Sequence, residues 1–228
     1  MRVVLPMASV LGVIIVPIVI ICSILTNPFF DASFYHAGQV KYNVQATTGM
    51  SMAQIDRVDQ GIIRFFADNE SLPTALGAVG AQSDVFKQKE ILHMNDVRVL
   101  VRFIARAEVV GLVAFGILTG FCIWKRAAGG LNVLSRALTI GSALTLGLVV
   151  VAGVLTYTSF DALFLTFHEV TFQNNFWELD PRTDHLIQMF PFGFWYDAML
   201  TIALRVLIVT VILGGCGIIL RRVQRRQA

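Results

Sequence analysis

Four stretches of this chain stay apolar for longer than a globular core requires, near residues 3–25, 103–124, 137–160 and 199–220. A helix needs about 20 predominantly apolar residues to cross a hydrocarbon core. No water is available there, so each backbone N–H and C=O must be satisfied within its own segment. Four such runs in 228 residues leave little room for another architecture, and only 14% of the residues are charged, against about 25% in soluble domains. The expected fold class is an all-α membrane protein, with four transmembrane helices and a small, mainly helical extracytoplasmic cap. It reads as one membrane domain over 1–228, its cap built from 26–102 and 161–198. The first run is too long for the apolar region of a cleaved signal and has no small-x-small site after it, so it reads as a retained span. Pro6 and Pro17 lie inside it, which membrane helices tolerate when neighbours re-satisfy the freed carbonyls.

Lys and Arg set the expected orientation. Arg2 precedes span one, Lys125, Arg126 and Arg136 occupy the link between spans two and three, and Arg221, Arg222, Arg225 and Arg226 end the chain. These segments contain no acidic residue, and by the positive-inside rule they are cytoplasmic. The acidic residues (Glu108 in span two aside) and all four histidines fall in the two other loops or at their edges. The expected location is therefore a bacterial cytoplasmic membrane, with both termini inside and the histidines on the outer face. Cys22, Cys122 and Cys216 all lie in apolar runs, which excludes a disulfide framework or a cysteine nucleophile in the exterior loops.

The first exterior segment opens with TNPFFDASFYHAGQVKYNV, read as irregular or partly extended. SMAQIDRVDQGIIRFFADN has helical spacing of Ile55, Val58, Ile62, Phe65 and Phe66, so a helix is expected to end near Asn69. SLPTALGAVGAQ reads as a loop from its Pro and Gly punctuation. Ser83-Asp84 reads as the N-cap of a helix running into span two. The second segment continues span three through FHEVTF, breaks near Asn174-Asn175 and restarts at Asp180-Pro181, where Asp suits an N-cap and Pro the first turn. A Pro-Phe-Gly turn at 191–193 then leads into span four.

Two histidines stand where apolar helices meet this acidic, aromatic exterior: His93 in HMNDVR and His168 in FHEVTFQNNFW. Asp96 is three residues from His93 on one helical face, placed to hold the imidazole in one tautomer. The plain alternative is a solvated histidine with an incidental acidic neighbour. Phe164 and Phe172 flank His168 at i−4 and i+4, which strips hydration and lowers its pKa; an ordinary histidine of an interfacial aromatic belt is the competing reading. Asn175 follows two turns on. A short link joins spans two and three, so antiparallel packing would bring the two imidazoles close.

Other catalytic patterns are missing. HEVTF lacks the second histidine of a zinc-protease helix, having Phe172 in that place; no CxxC or G-x-S-x-G occurs, and neither a metal nor a cofactor is expected. The Asn-x-x-Asp pattern of four-span aspartic signal peptidases fails because Thr158 stands where the Asn is needed before Asp161. What remains is an acid–base pair without a protein nucleophile. That suits a reaction whose nucleophile and electrophile both belong to the substrate, the protein supplying proximity and proton transfer. Residues 160–196 hold eleven of the 24 aromatics, Phe172, Trp177 and Trp195 among them, as an interfacial belt or a lipid-facing pocket. Arg98, Arg102 and Arg106 step along one helical face, to anchor lipid phosphates or to orient a substrate carbonyl.

HMNDVR entering span two, and FHEVTFQNNFW…LDP…LIQMFPFGFW entering span four, resemble the lipoprotein intramolecular transacylase (Lit) family of four-span bacterial membrane proteins. The resemblance runs the full length. It implies an acyltransferase acting on diacylglyceryl-modified lipoproteins, moving the sn-2 acyl chain to the N-terminal cysteine amine to give the lyso form. It implies His93 and His168 as catalytic residues. Asp96, Arg98, Arg102, Phe172, Asn175, Trp177 and Trp195 are the candidates around the substrate, with Asn175 or an arginine as oxyanion donor. Membrane lipid is the other expected partner; nucleic acid is not, and the pattern sets no oligomeric state. A non-enzymatic membrane partner protein and an intermolecular lipid acyltransferase or hydrolase stay open as alternatives.

Overall fold

A computed structural model describes residues 4–227, so Arg2 and the first residue of span one lie outside it. The described residues form α-helices, short 3-10 turns and loops, with no strand among them. Four helices are long and apolar enough to cross a membrane: α1 (Val4–Thr26), α6 (Gln88–Trp124), α7 (Gly130–Thr171) and α9 (Phe192–Gln227). Their sequences dictate this, because a continuous apolar run without water has only the helix in which to satisfy its backbone. The chain divides into two compact units.

Unit one holds residues 1–25, 104–154 and 201–228. Val16, Ile20, Leu118, Cys122, Val133, Leu134, Leu138 and Val206 form its core. Small residues let the backbones approach, as membrane helices require when lipid offers no hydrophobic drive. A methyl group on Gly12 would lie 2.6 Å from the Ala137 side chain. Ser135 donates to the Gly217 carbonyl at 2.9 Å. The outward residues are apolar: Val110, Val113 and Ile117 on α6, Leu144, Leu148 and Val151 on α7, and Val211 and Ile212 on α9 are all exposed. A water-soluble surface rarely carries so much exposed apolar area.

Unit two holds residues 26–103 and 155–200, with α2 (Ala32–Lys41), α3 (Val44–Thr48), α4 (Met52–Ala67), α5 (Leu72–Ala78) and α8 (His185–Met189) beside the ends of the long helices. Ile55, Ile62, Phe65, Leu72, Leu76, Met189, Phe190 and Phe194 lie in its core. The expected α4 is present and ends two residues before Asn69. Ser51 N–H donates to the Gln54 side chain at its start.

Four local expectations are corrected. Residues 26–44 are not extended: Asp31 accepts from the Ser33 and Phe34 N–H groups and starts α2, so a cap outweighs the scattered aromatics. SLPTALGA is a helix, because Ser71 caps it, Pro73 suits its first turn, and Leu72, Ala75 and Leu76 are buried. Residues 83–86 form a turn whose Val85 and Phe86 enter the core, and α6 starts at Gln88. The capping work passes to Glu90, which accepts from Lys87 N–H at 2.8 Å. Asp180-Pro181 also starts a turn, with Asp180 accepting from Arg182 N–H; the helix begins at His185, and Pro191 is followed directly by α9 rather than by a three-residue turn.

One buried carboxyl in this core has its protonation set by its surroundings. Asp59 is 1% exposed and accepts from Gln39 Nε2 at 2.9 Å. Asp59 Oδ2 and Gln39 Oε1 have no partner. Burial pushes the acid up to about 7, Asp56 adds to the shift, and Gln39 and His36 oppose it. The folded state therefore holds a proton that the unfolded chain releases near 4, and stability falls as pH rises through that window. Asn at this position could pair with Gln39 through both amide groups. Asp59→Asn is expected to stabilise the protein by roughly 1–3 kcal/mol at pH 8 and much less at pH 5. Thermal unfolding in detergent at the two pH values checks this, and an equal or opposite effect at pH 8 refutes it.

Candidate functional site

Both interfacial histidines belong to unit two, and the structure brings their rings together. His93 sits on the second turn of α6, and His168 on the last turn of α7. Their ring centroids are 6.0 Å apart with the planes 35° from parallel. Both are buried, at 8% and 7% exposure.

The helices that carry the histidines are longer than a hydrocarbon core requires. A 37-residue helix is about 55 Å long, against a hydrocarbon core of about 30 Å. The α7 path bends at Ser159, whose φ of −150° and ψ of 40° are not helical. The bend falls at the end of the third apolar run, nine residues before His168. At the other wall, Glu90 lies one turn before His93 and is fully buried. It accepts from Leu186 N–H at 2.6 Å as well as from Lys87 N–H, tying α8 to the start of α6.

Aromatic rings surround the imidazoles. Around His168 the centroids of Phe164, Phe167, Trp177 and Phe172 lie at 4.2, 5.2, 5.2 and 5.6 Å. Phe172 meets His93 edge-on at 5.1 Å. Such a shell excludes water from a charged ring. Burial accordingly holds the His93 pKa down at about 4, with His168 adding to the shift and Asp96 opposing it. Burial also lowers His168, while its hydrogen bond to the Phe164 carbonyl works the other way.

That hydrogen bond fixes a tautomer. His168 Nδ1 lies 2.7 Å from the Phe164 carbonyl oxygen, which can only accept. Nδ1 therefore carries the proton, and Nε2 of the neutral ring carries the lone pair. The ring also stands at a helix C-terminus, where the backbone dipole favours an imidazolium. His93 differs, since its Nδ1 is buried without a partner.

The other sequence candidates divide. Phe172 and Trp177 line the histidines, whereas Trp195 packs against Phe190 and Phe194 elsewhere in the core. Asp96 does not hold His93 Nδ1 in place, as expected from its spacing; it accepts from Asn174 Nδ2 at 2.9 Å instead. Asn174 also accepts from Phe176 N–H at 3.0 Å and so folds the loop that carries Trp177. Its neighbour Asn175 is exposed. The amide at the site is thus the first of the Asn-Asn pair, which the doublet itself could not reveal. Arg98 bonds the Glu70 carbonyl and Asn95 and stacks over Phe65 at 4.1 Å. Arg102 bonds Asn69 and the Asp68 carbonyl. Both therefore secure the loop after α4. Arg106 belongs to unit one. His36 pairs with Asp56 and His185 with Gln188. Among the described residues no cluster of side chains could hold a metal ion.

The sequence matches the family model described as lipoprotein intramolecular transacylase Lit over residues 10–195. The chain belongs to the Lit family. It is also similar to an uncharacterised protein of Aquifex aeolicus (strain VF5), 30% identical over 120 residues. That match takes in 52% of this chain, and the chain spans about half the length of this curated relative. Among solved structures, the membrane-integral lipoprotein intramolecular transacylase Lit from Bacillus cereus superposes with a TM-score of 0.84 at 17% identity, over 99% of this chain and 100% of that one. A variant of the Bacillus cereus protein with one histidine changed to alanine gives 0.76 at 17% identity, over 98% and 96%. These superpositions establish a shared membrane-integral, all-helical fold with the family.

The tautomer can be observed directly. With 15N-labelled histidine at pH 7, His168 is expected to show a protonated Nδ1 and a bare Nε2, and His93 to titrate far below the usual imidazole range, near 4. Joint titration of both rings around 6.5 would contradict the burial argument.

Proposed function

We propose that this protein moves an acyl chain within one lipoprotein molecule. The sn-2 acyl group of a diacylglyceryl-modified N-terminal cysteine passes to the α-amine of that cysteine, giving the N-acyl, S-monoacylglyceryl lyso form. The observation that carries this reading is the buried imidazole pair in a chain of the Lit family, 6.0 Å apart in an aromatic shell. Among the described residues no serine is hydrogen-bonded to either ring, and the three free cysteines all lie in unit one. A reaction between two groups of the substrate needs no protein nucleophile.

The steps follow from the two ring environments. His168 Nε2, its lone pair fixed by the Phe164 carbonyl, takes the proton from the amine as nitrogen attacks the sn-2 ester carbonyl. The imidazolium so formed gains from that carbonyl and from the helix C-terminus. His93 stays neutral at its depressed pKa and donates an N–H to the oxyanion. Its orphan Nδ1 favours leaving the lone pair there and the proton on the other nitrogen. Collapse forms the amide, breaks the C–O bond and returns the proton to the sn-2 oxygen. One C–N bond and one O–H bond are made, and one C–O bond and one N–H bond are broken. Phe172 and Trp177 line the acyl path. The exposed Asn175 and the engaged Arg98 and Arg102 leave the oxyanion role to His93.

The same reading places the site on the outer face of a bacterial cytoplasmic membrane. Spans are then near 3–25, 103–124, 137–160 and 199–220, both termini are cytoplasmic, and residues 26–102 and 161–198 form the cap. Supporting it are the basic, acid-free links of unit one and the acidic character of unit two.

Mass spectrometry of a diacylated lipoprotein co-expressed with the chain provides the test. The wild type is expected to yield the N-acyl lyso form, and His168→Ala to cut its formation by roughly 10²- to 10⁴-fold, with a comparable loss for His93→Ala. Both rings must be neutral and both pKa values lie below the ordinary range, so the rate should fall as pH drops below about 8 because the amine protonates, with no additional break near 6.5 from the imidazoles. An unchanged acylation pattern, full lyso-form production by the variants, or release of free fatty acid would each overturn the proposal.

A further inference from the structure

Asp96 is a half-buried carboxylate one helical turn from the buried His93 ring, whose charged form it favours. Among the described residues its side chain has one hydrogen-bond partner, the neutral amide of Asn174, and it joins no ion pair. The nearby arginines are committed elsewhere, Arg98 to Glu70 and Asn95 and Arg102 to residues 68 and 69. A carboxylate withdrawn from water without a counter-charge is costly. Asn174 raises that investment, since one amide both orients Asp96 through Oδ2 and folds the 174–177 turn through Phe176 N–H. One turn away, His93 Nδ1 is a polar atom more than nine-tenths buried and without a partner. The site thus pairs an uncompensated negative charge with neutral rings that burial keeps uncharged.

We propose that Asp96, oriented by Asn174, is the docking site for the α-ammonium group of the substrate's N-terminal cysteine. The inference rests on the acyl-transfer reading above and adds how the amine is recognised before it reacts. An α-amino group has a pKa near 7.7–8.0 and arrives mostly as ammonium. The carboxylate holds it on the His93 side of the imidazole pair through a charge-assisted hydrogen bond. The bound ammonium loses one proton to bulk solvent, which frees the nitrogen lone pair; the second N–H proton then passes to His168 Nε2 as the nitrogen attacks and on to the departing sn-2 oxygen. Asp96 makes or breaks no covalent bond. The arrangement also explains a specificity: an already N-acylated lipoprotein has no ammonium and no claim on this carboxylate.

Binding of an unreactive analogue tests the inference without turnover. The probe is a short cysteinyl peptide with an ether-linked dialkylglyceryl group, which has no ester to transfer, in free-amine and N-acetylated forms. The full chain in detergent or bicelles is expected to bind the free-amine form at least about tenfold more tightly near pH 7. That preference should fade above pH 8 as the ammonium deprotonates. Asp96→Asn keeps the size and an oxygen for Asn174 but not the charge, so the preference should fall to within about twofold at every pH. Asp96→Glu retains the charge and should keep a preference of severalfold, which separates loss of the ammonium site from loss of fold. An undiminished preference in Asp96→Asn, or none in the wild type, overturns the proposal. Failure of the underlying reading looks different: the wild type would still prefer the free amine yet form no N-acyl product from a diacylated lipoprotein.

Discussion

Exclusion of water is the constraint on which this structure depends, in lipid and again around the histidines. In the hydrocarbon core it admits only segments that satisfy their own backbone, so four apolar runs become four long helices. Around His93 and His168 it is achieved by Phe164, Phe167, Phe172 and Trp177. There it depresses the basicity of both rings and raises the worth of every charge nearby. Helices longer than a hydrocarbon core requires carry one histidine each.

Several polar groups retained inside unit two have a mechanical task. Glu90 holds α8 against α6 through two backbone N–H groups. Arg98 and Arg102 clasp the loop after α4, and Asn174 links the loop after α7 to Asp96. These ties surround the histidines on several sides. They supply the kind of rigid support that a site with two catalytic groups and no covalent intermediate would need.

How much of this was legible in the sequence depends on the range of the interaction. The spans were, because hydropathy acts locally and the run lengths match a bilayer. The α4 helix was, because Ile55, Val58, Ile62 and Phe65 repeat on one face. Both histidines stood out as imidazoles at the edges of apolar runs. Local cap chemistry was misread where two signals competed: Asp31 and Ser71 start helices in stretches that aromatics, Pro and Gly made look irregular. Asp180 folds a turn where a helix start was expected.

The sequence by itself determined an all-helical membrane protein of the Lit family, because apolar run length and motif spacing are properties of neighbours along the chain. Only the tertiary structure decided that the two imidazoles meet at 6.0 Å, that His168 leans on the Phe164 carbonyl, and that Asp96 turns to Asn174 rather than to His93. Asp96 and Asn174 are 78 residues apart, and no periodicity reaches so far. Which of Asn174 and Asn175 faces the site depends on how the loop closes after α7, and that closure is set by packing against residues remote in the chain.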